Sequence, residues 1–258
     1  MKVTVCQLDP RSHRLSEQLA ELGTHLRSHN SDLLLLPEMA FSEWLAADPE
    51  PSAERWQSAV EDHERRIGQI TDLRIDSIVG TRPTVNAEGS RRNEAFVWSA
   101  AAGGAIAVHE KYYLPNEEGF WESSWYDRGS GTFDTAQAGD ALIGIQICTE
   151  MWFFEWARRY AASGIDLLCI PRATPHATTD KWLAGGRAAA VSSGAFSISS
   201  NLWYPVGAEA DCGGTGWVID PDGEILAVTS ESEPFVTADV DLDIAARSKS
   251  TYPRYVPE

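Results

Sequence analysis

The chain has few basic residues: 21 lysines and arginines stand against 38 aspartates and glutamates, for a formal net charge of −17 over 258 residues. The only lysines are Lys2, Lys111, Lys181 and Lys249. Nucleic acids and anionic membranes are bound through clustered lysine and arginine, so this balance argues against both kinds of partner. An acidic, lysine-poor surface fits a high-salt cytoplasm and a high-GC genome equally well.

Metal, redox and membrane motifs are also missing. The four cysteines, at positions 6, 148, 169 and 212, show no CxxC spacing, and the six histidines show no metal-ligand spacing. No hydrophobic run is long enough to cross a bilayer, and the N-terminal MKVTVCQLDP resembles a strand more than a signal peptide. We therefore expect a cytoplasmic protein with reduced cysteines, no metal and no cofactor.

Short apolar runs alternate with helical patterns along the chain. The stretch Ala141–Pro171 predicts strand, helix and strand, the parallel βαβ unit, and Lys2–Leu36 repeats that order. Further predicted strands are Ser77–Val85, Asn93–Ser99, Ala105–Lys111, Ala195–Ser200, Gly216–Ile219, Glu224–Val228 and Phe235–Val240, and further helices are Ser52–Leu73 and Thr179–Ser193. The last stretch, Ile244–Glu258, has few apolar residues and is predicted to pack on the outside or on a partner. The pattern indicates one α/β domain over residues 1–258, with two similar halves stacked together.

Three chemically reactive residues each end an apolar run. Glu38 follows DLLLLP, Lys111 ends AIAVHEK and Cys148 ends ALIGIQIC. Ligands of α/β sheets collect at the carboxyl ends of strands, so these side chains can meet at one rim. Cys148 also precedes a predicted helix, whose N-terminus is expected to lower the pKa of the thiol.

A carboxylate, an ammonium and a thiol together make a nucleophilic site. The carboxylate can take the thiol proton, the thiolate can attack an electrophilic carbon, and the ammonium can stabilise the charge that develops. Taken singly, each residue has an ordinary interpretation: Cys148 as a core thiol, Glu38 as an acid at a helix start, and Lys111 as a solvated charge.

The strings LLLLPE, HEKYYLPNEEGFWE and ICTEMWFFEW resemble, in order and approximate spacing, the three motifs of the nitrilase superfamily, the carbon–nitrogen hydrolases. The resemblance implies Cys148 as the nucleophile, Glu38 as the general base and Lys111 as the cationic stabiliser of the transition state. It implies the backbone N–H of Thr149 as a second oxyanion donor. It also implies a four-layer αββα sandwich and a homodimer, or a higher even homo-oligomer, formed through helices beside the nucleophile.

Members of this superfamily often have a second glutamate after the lysine, which positions the substrate. Glu118 and Glu122 are both candidates, and the local string FWES followed by RGSGTF favours Glu122. Glu150, two residues after the nucleophile, stands where many amidase branches have aspartate. Phe153-Phe154-Glu155 lacks the proline that is common there, and PRATPHATTDKW matches no substrate branch.

Three further residues are candidates for the substrate site. Arg172 follows a predicted strand and could bind a substrate carboxylate, although a structural salt bridge is the commoner role for such an arginine. His176 is the one histidine placed to serve as a base in a papain-like Cys–His hydrolase. Trp152 could line an apolar pocket, or belong to the core or a dimer interface.

These features predict an enzyme that hydrolyses non-peptide C–N bonds without a cofactor. The first expectation is an amidase that converts a small carboxamide into a carboxylic acid and ammonia through a thioester. Nitrilase activity and N-carbamoyl hydrolysis are the alternatives within the superfamily. A papain-like hydrolase and a binding module that has lost catalysis are the alternatives outside it.

Overall fold

The computed structural model describes residues 1–256, whose strands form two six-stranded sheets. The first sheet has the order β12-β1-β2-β3-β4-β5, with β1 Lys2–Leu8, β2 Leu33–Leu35, β3 Ser77–Val85, β4 Arg91–Ser99, β5 Gly104–Glu110 and β12 Phe235–Asp239. The second has the order β11-β10-β9-β8-β7-β6, with β6 Ala136–Ala138, β7 Ala141–Ile145, β8 Leu167–Arg172, β9 Phe196–Leu202, β10 Trp217–Ile219 and β11 Ile225–Val228. The two sheets join where the end of β1 pairs with β9.

Alternating side chains of the strands divide the core between two sides of the first sheet. Val5 and Leu35 point into one apolar cluster with Ile145 and Cys169 of the second sheet. The neighbouring residues along the same strands, such as Cys6 and Leu34, point to the other side and pack against helix α1 (Ser12–His29). This period of two means that both faces are covered at β1 and β2, which explains the continuous apolar run at β2.

Helices cover the outer face of each sheet. Helices α1 and α2 (Ala53–Gly68) pack on the first sheet, and α4 (Phe154–Ser163) and α5 (Thr179–Ser193) pack on the second. The order of layers is therefore helix, sheet, sheet, helix, which confirms the predicted αββα sandwich. No helix within residues 1–256 is long and apolar enough to span a membrane.

Several predicted boundaries were wrong in detail. The helix predicted over Ser52–Leu73 ends at Gly68, and a separate 3-10 turn follows at Ile70–Leu73. The apolar run before Cys148 stops being a strand at Ile145. The segment after Lys111, for which no element was predicted, contains a short helix, α3 (Glu122–Trp125), and β6 was not predicted either.

The C-terminal stretch packs against the body of its own chain. Helix α6 (Leu242–Ser248) is followed by turns, and the side chain of Arg254 is buried. Its guanidinium donates to the carbonyl oxygens of Ser248 at 3.0 Å and Pro221 at 3.4 Å. The described part of Ile244–Glu258 therefore packs on its own chain, and packing on a partner stays a prediction. Residues 257–258 lie outside the described residues.

Candidate active site

Each of the three predicted reactive residues follows the end of a strand, as expected. Glu38 follows β2, Lys111 follows β5, and Cys148 follows β7. The Nζ atom of Lys111 donates a hydrogen bond of 2.7 Å to Oε1 of Glu38, and both side chains are fully buried. An ion pair removed from water is stable only when its geometry is good and its remaining atoms find partners.

A second carboxylate completes the ion pair. Glu122, the first residue of α3, places Oε2 at 2.5 Å from Lys111 Nζ and is fully buried. The hydroxyl of Tyr126, one helical turn later, donates to the same oxygen. Glu118 is solvent-exposed, with no hydrogen bond or ion pair to these groups in the described structure. The geometry therefore favours Glu122 over Glu118 as the second glutamate.

Asn93 also belongs to the cluster, and the sequence analysis missed it. This buried residue of β4 donates from Nδ2 to Oε1 of Glu38 at 2.7 Å and lies 3.4 Å from the hydroxyl of Tyr126. Its neighbours Arg91, Arg92 and Glu94 are also polar, so no local signal in the sequence singles it out. Because Asn93 and Lys111 both bond Oε1, the orientation of the Glu38 carboxylate is fixed.

The second carboxylate oxygen of Glu38 accepts no hydrogen bond from the described residues. Oε2 is buried and has no hydrogen-bond partner among residues 1–256. Leaving a buried oxygen unpaired is costly and calls for an explanation, of which a catalytic role is one. Glu38 therefore has the arrangement of a proton acceptor: one oxygen is held and the other is free.

Cys148 adopts a left-handed backbone conformation, with φ of 51°, and is 3% exposed. It begins a 3-10 turn, Cys148–Trp152, and α4 starts only at Phe154. The thiol lies 3.6 Å from the carbonyl oxygen of Ala173, to which it donates. Such strain in a non-glycine residue is typical of functional turns, where the surrounding structure enforces it.

The expectation that the pKa of Cys148 is lowered was wrong. Burial, and then the negative charge of Glu38, raise the pKa of the thiol, and the opposing effect of Lys111 is smaller. The physical reason is that the thiol is buried with two carboxylates near it, whereas no α-helix begins at Cys148. Cys148 therefore rests as a thiol, and its proton has to leave during the attack.

The charges around Lys111 are strongly coupled. Burial lowers the pKa of Lys111, but attraction by Glu122 and Glu38 outweighs burial, so the net pKa is raised and the ammonium stays charged. Burial raises the pKa of Glu122 to about 7, against the lowering effect of Lys111. The cluster therefore combines a permanent cation with a carboxyl group that titrates near neutrality.

Thr149 and Trp152 belong to the turn that begins with Cys148. The backbone N–H of Thr149 has no hydrogen-bond partner within residues 1–256, as an oxyanion donor requires. The indole of Trp152 is 40% exposed and packs against Trp182 of α5, with 5.0 Å between ring centroids. The turn packs closely against α5 at Gly185. A Cβ atom added at Gly185 would lie only 2.6 Å from the Cε atom of Met151.

Arg172 is buried without an acidic partner. Its guanidinium donates, at 2.7 Å each, to Ser199 Oγ, Thr174 Oγ1 and the carbonyl oxygen of Thr215. It also stacks on the ring of Trp217, 4.1 Å from the centroid. No carboxylate of the described chain forms an ion pair with it, so the structural salt bridge considered above is wrong. Binding of a substrate carboxylate stays a prediction.

His176 forms no hydrogen bond with Cys148 in the described structure. Its Nδ1 atom lies 2.5 Å from Asp211 Oδ1, and the imidazole is partly exposed. The hydrogen bond of the Cys148 thiol goes to a carbonyl oxygen, and no histidine of residues 1–256 accepts it. The papain-like arrangement is therefore not present. Within the same residues, no group of three or more His, Cys, Asp and Glu side chains is placed to hold a metal ion.

Known proteins share this arrangement of sheets. A sequence model described as "Carbon-nitrogen hydrolase" matches residues 2–249. Among solved structures, a carbon-nitrogen hydrolase from Helicobacter pylori G27 superposes with a TM-score of 0.86 at 20% identity, covering 99% of this chain and 94% of that one. An amidase from Nesterenkonia sp. gives 0.77 at 22% identity, covering 95% and 92%. At these identities the likeness shows the fold.

Two curated relatives are somewhat more similar in sequence, and both are longer than this chain. The chain is 26% identical over 254 residues to a glutamine-dependent NAD(+) synthetase of Rhodobacter capsulatus, covering 95% of this chain and 44% of the relative. It is 29% identical over 113 residues to a 2-oxoglutaramate amidase of Paenarthrobacter nicotinovorans, covering 44% of this chain and 38% of the relative. The matched regions thus span less than half the length of these two proteins.

Proposed function

Because the chain belongs to the carbon–nitrogen hydrolase family, we propose that it is a cysteine-dependent amidase that hydrolyses a small carboxamide to a carboxylic acid and ammonia. One observation supports this most: the Cys148 thiol lies near a fixed Glu38 carboxylate that has one free oxygen. A protonated thiol beside a proton acceptor is the pair that nucleophilic catalysis requires.

The first half-reaction forms a thioester. Glu38 takes the thiol proton as the sulfur of Cys148 bonds to the amide carbon, and the carbonyl oxygen gains a negative charge. The same carboxyl then returns the proton to the leaving nitrogen, the C–N bond breaks and ammonia departs. The second half-reaction repeats these steps with water, which Glu38 deprotonates, and it releases the acid and restores the thiol.

Lys111 and Thr149 supply the stabilisation of the oxyanion. The ammonium of Lys111 is buried, so its charge acts at short range in a medium of low dielectric. The N–H of Thr149 offers a second donor on the nucleophile turn. Glu122 also holds the ammonium, through Oε2, and keeps an unpaired oxygen, Oε1, for the amide nitrogen of the substrate.

Turnover of matched substrates tests this proposal. We expect ammonia release from a short aliphatic amide, no turnover by Cys148→Ala, and an acyl group added to Cys148 when the reaction is quenched. The control is the same measurement on Cys169→Ala, which removes a buried core thiol. An acyl group found on another cysteine, or full activity in Cys148→Ala, would contradict the assignment.

The substrate panel also tests the alternatives within the family. It contains an amide, a nitrile and an N-carbamoyl compound with the same side chain, together with a copy of the amide that carries a terminal carboxylate. Preference for the carboxylate-bearing amide, lost in Arg172→Met, would support binding of that carboxylate by Arg172. Preference for the nitrile or the carbamoyl compound would replace amidase by the corresponding activity.

A homodimer, or a higher even oligomer, formed through α4 and α5 is part of the proposal. The exposed indole of Trp152 lies between these helices and offers apolar surface for such a contact. Sedimentation of the wild type and Trp152→Glu tests it, since a monomeric wild type would rule it out. A reducing, cytoplasmic location is proposed from the four free cysteines, all buried.

A further inference from the structure

We propose that Glu150 and His109 form a positioning pair, which holds the backbone of the Cys148 turn and the backbone after Lys111 at one carboxylate. The inference rests on the proposed amidase function and extends it. Neither residue touches the reacting atoms in the mechanism above. Both are fully buried.

One carboxylate joins the two catalytic segments. Oε1 of Glu150 accepts the backbone N–H of Tyr112 at 2.7 Å, and Oε2 accepts the backbone N–H of Ile147 at 2.8 Å. Tyr112 directly follows Lys111, and Ile147 directly precedes Cys148. Lys111 and Cys148 follow strands of different sheets. Each is therefore adjacent in sequence to a residue whose backbone N–H donates to Glu150.

His109 is the third hydrogen-bond partner of this carboxylate. Its Nε2 atom lies 2.8 Å from Glu150 Oε2, and its Nδ1 atom lies 2.8 Å from the carbonyl oxygen of Thr132. A carbonyl oxygen can only accept, so Nδ1 carries a hydrogen. A carboxylate that already receives two backbone N–H groups also accepts from Nε2, so both nitrogens donate and the imidazole is charged.

The electrostatics agree with the charged form. Burial lowers the pKa of His109, but Glu150, with a smaller contribution from Glu110, outweighs burial and raises the net pKa. The ring of Phe133 packs against the imidazole, with 4.5 Å between centroids. The pair is thus a buried, fully bonded unit, which specifies geometry at a point where a small displacement is costly for catalysis.

The test compares two buried carboxylates. Glu150→Gln keeps the shape of the side chain but gives one oxygen position to an NH₂ group, which cannot accept a backbone N–H. Asp9→Asn is the matched control, because Asp9 is also buried, accepts the backbone N–H of Arg11 at 3.1 Å and pairs with the guanidinium of Arg11. Asp9 has no contact with the catalytic groups in the described structure.

Three quantities are measured for each variant: kcat and KM on a short amide, the rate at which iodoacetamide alkylates Cys148, and the thermal midpoint. We expect Glu150→Gln to lose roughly 10- to 100-fold in kcat, with KM changed less than about threefold, since misplacing catalytic groups affects the transition state more than binding. Alkylation should slow about tenfold or more. Asp9→Asn should lower the midpoint but change kcat and alkylation less than about threefold.

His109→Gln and His109→Leu provide a second, graded pair. The glutamine can still donate to Glu150, whereas the leucine cannot, so kcat should be recovered in part by glutamine only. These variants decide the question if Glu150→Gln does not fold. Equal losses of kcat in Glu150→Gln and Asp9→Asn, or wild-type alkylation in Glu150→Gln, would reduce the pair to a structural role. If the wild type hydrolyses no amide, the amidase proposal fails, and the alkylation rates still test the positioning.

Discussion

Replacing Lys111 by methionine should affect stability as well as activity, and the effect on stability should depend on pH. The ammonium lies 2.7 Å from Glu38 and 2.5 Å from Glu122, and all three side chains are fully buried. Methionine has a similar length but no charge, so the variant leaves two carboxyl groups facing each other away from water. Removing one partner of a buried ion pair costs about 3–5 kcal/mol.

That loss can be converted into a thermal shift. For a chain of this size, each 1 kcal/mol lowers the midpoint of unfolding by roughly 2–4 °C, so we expect a decrease of about 6–20 °C near pH 8. Lys181→Met is the control, because Lys181 is exposed on α5. Exposed substitutions of this kind change stability by about 0.5 kcal/mol or less.

The direction of the pH effect follows from the pKa of Glu122. In the wild type burial raises this pKa from 4.5 to about 7, so the folded state holds its proton more tightly than the unfolded state. The resulting stabilisation is complete below pH 4.5 and is lost as the pH rises through about 7. Without Lys111 the pKa of Glu122 rises further. At pH values above that pKa, each further unit costs the folded state about 1.4 kcal/mol. The gap between wild type and variant should therefore be small at pH 5 and large at pH 8.

Calorimetry at these two pH values checks the reasoning. The double variant Lys111→Met, Glu122→Gln should recover much of the stability at pH 8, because one carboxyl group is removed, and it should stay inactive. If the difference in midpoint between wild type and Lys111→Met is the same at pH 5 and pH 8, the stability is lost through altered packing and not through charge. A midpoint equal to that of the wild type would show that the three groups are not coupled as the distances indicate.

Three other outcomes follow from the site and its surroundings. Glu122→Gln should lower kcat about 100-fold or more, whereas Glu118→Gln should leave it within about twofold, and steady-state kinetics on one amide separates the two glutamates. His176→Ala should retain wild-type kcat, since the imidazole forms no hydrogen bond with the Cys148 thiol. An inactive variant with the thermal midpoint of the wild type would restore the Cys–His hypothesis. Gly186→Ala should destabilise the protein by about 1–3 kcal/mol in chemical denaturation, because the added Cβ would lie 2.5 Å from the ring of Trp217; an unchanged free energy of unfolding would contradict that packing.

Much of the fold could be read from the sequence because central strands such as β2 and β8 are buried on both faces. Runs such as DLLLL and ALIGIQIC are continuous and apolar, and each is followed by a residue that differs sharply from the run. The approximate ends of the strands were therefore visible, and with them the positions of Glu38, Lys111 and Cys148, although β7 ends at Ile145. Short elements such as β6 are three residues long and have no period to detect.

The parts of the site that escaped prediction depend on contacts between distant segments. Asn93 has no local pattern other than its polarity, and its role exists only because β4 brings it beside Glu38. The pKa of Cys148 was predicted in the wrong direction because the sequence suggested a helix beginning at the thiol. The structure has a 3-10 turn there, with burial and carboxylates dominating. The pairing of Glu150 with His109 joins residues that are 41 positions apart.

The proposed reaction moves charge within the buried cluster without adding any. At rest, a neutral thiol faces Glu38, Lys111 and Glu122. When the sulfur attacks, its proton neutralises Glu38, and the negative charge appears on the substrate oxygen instead. Lys111 therefore loses one anionic neighbour as it gains another, so the net charge of the site is constant through the step. In a low dielectric, creating a new unpaired charge is far more costly than relocating one. This accounts for a nucleophile whose pKa is raised: a resting thiolate would place a third anion beside a single lysine.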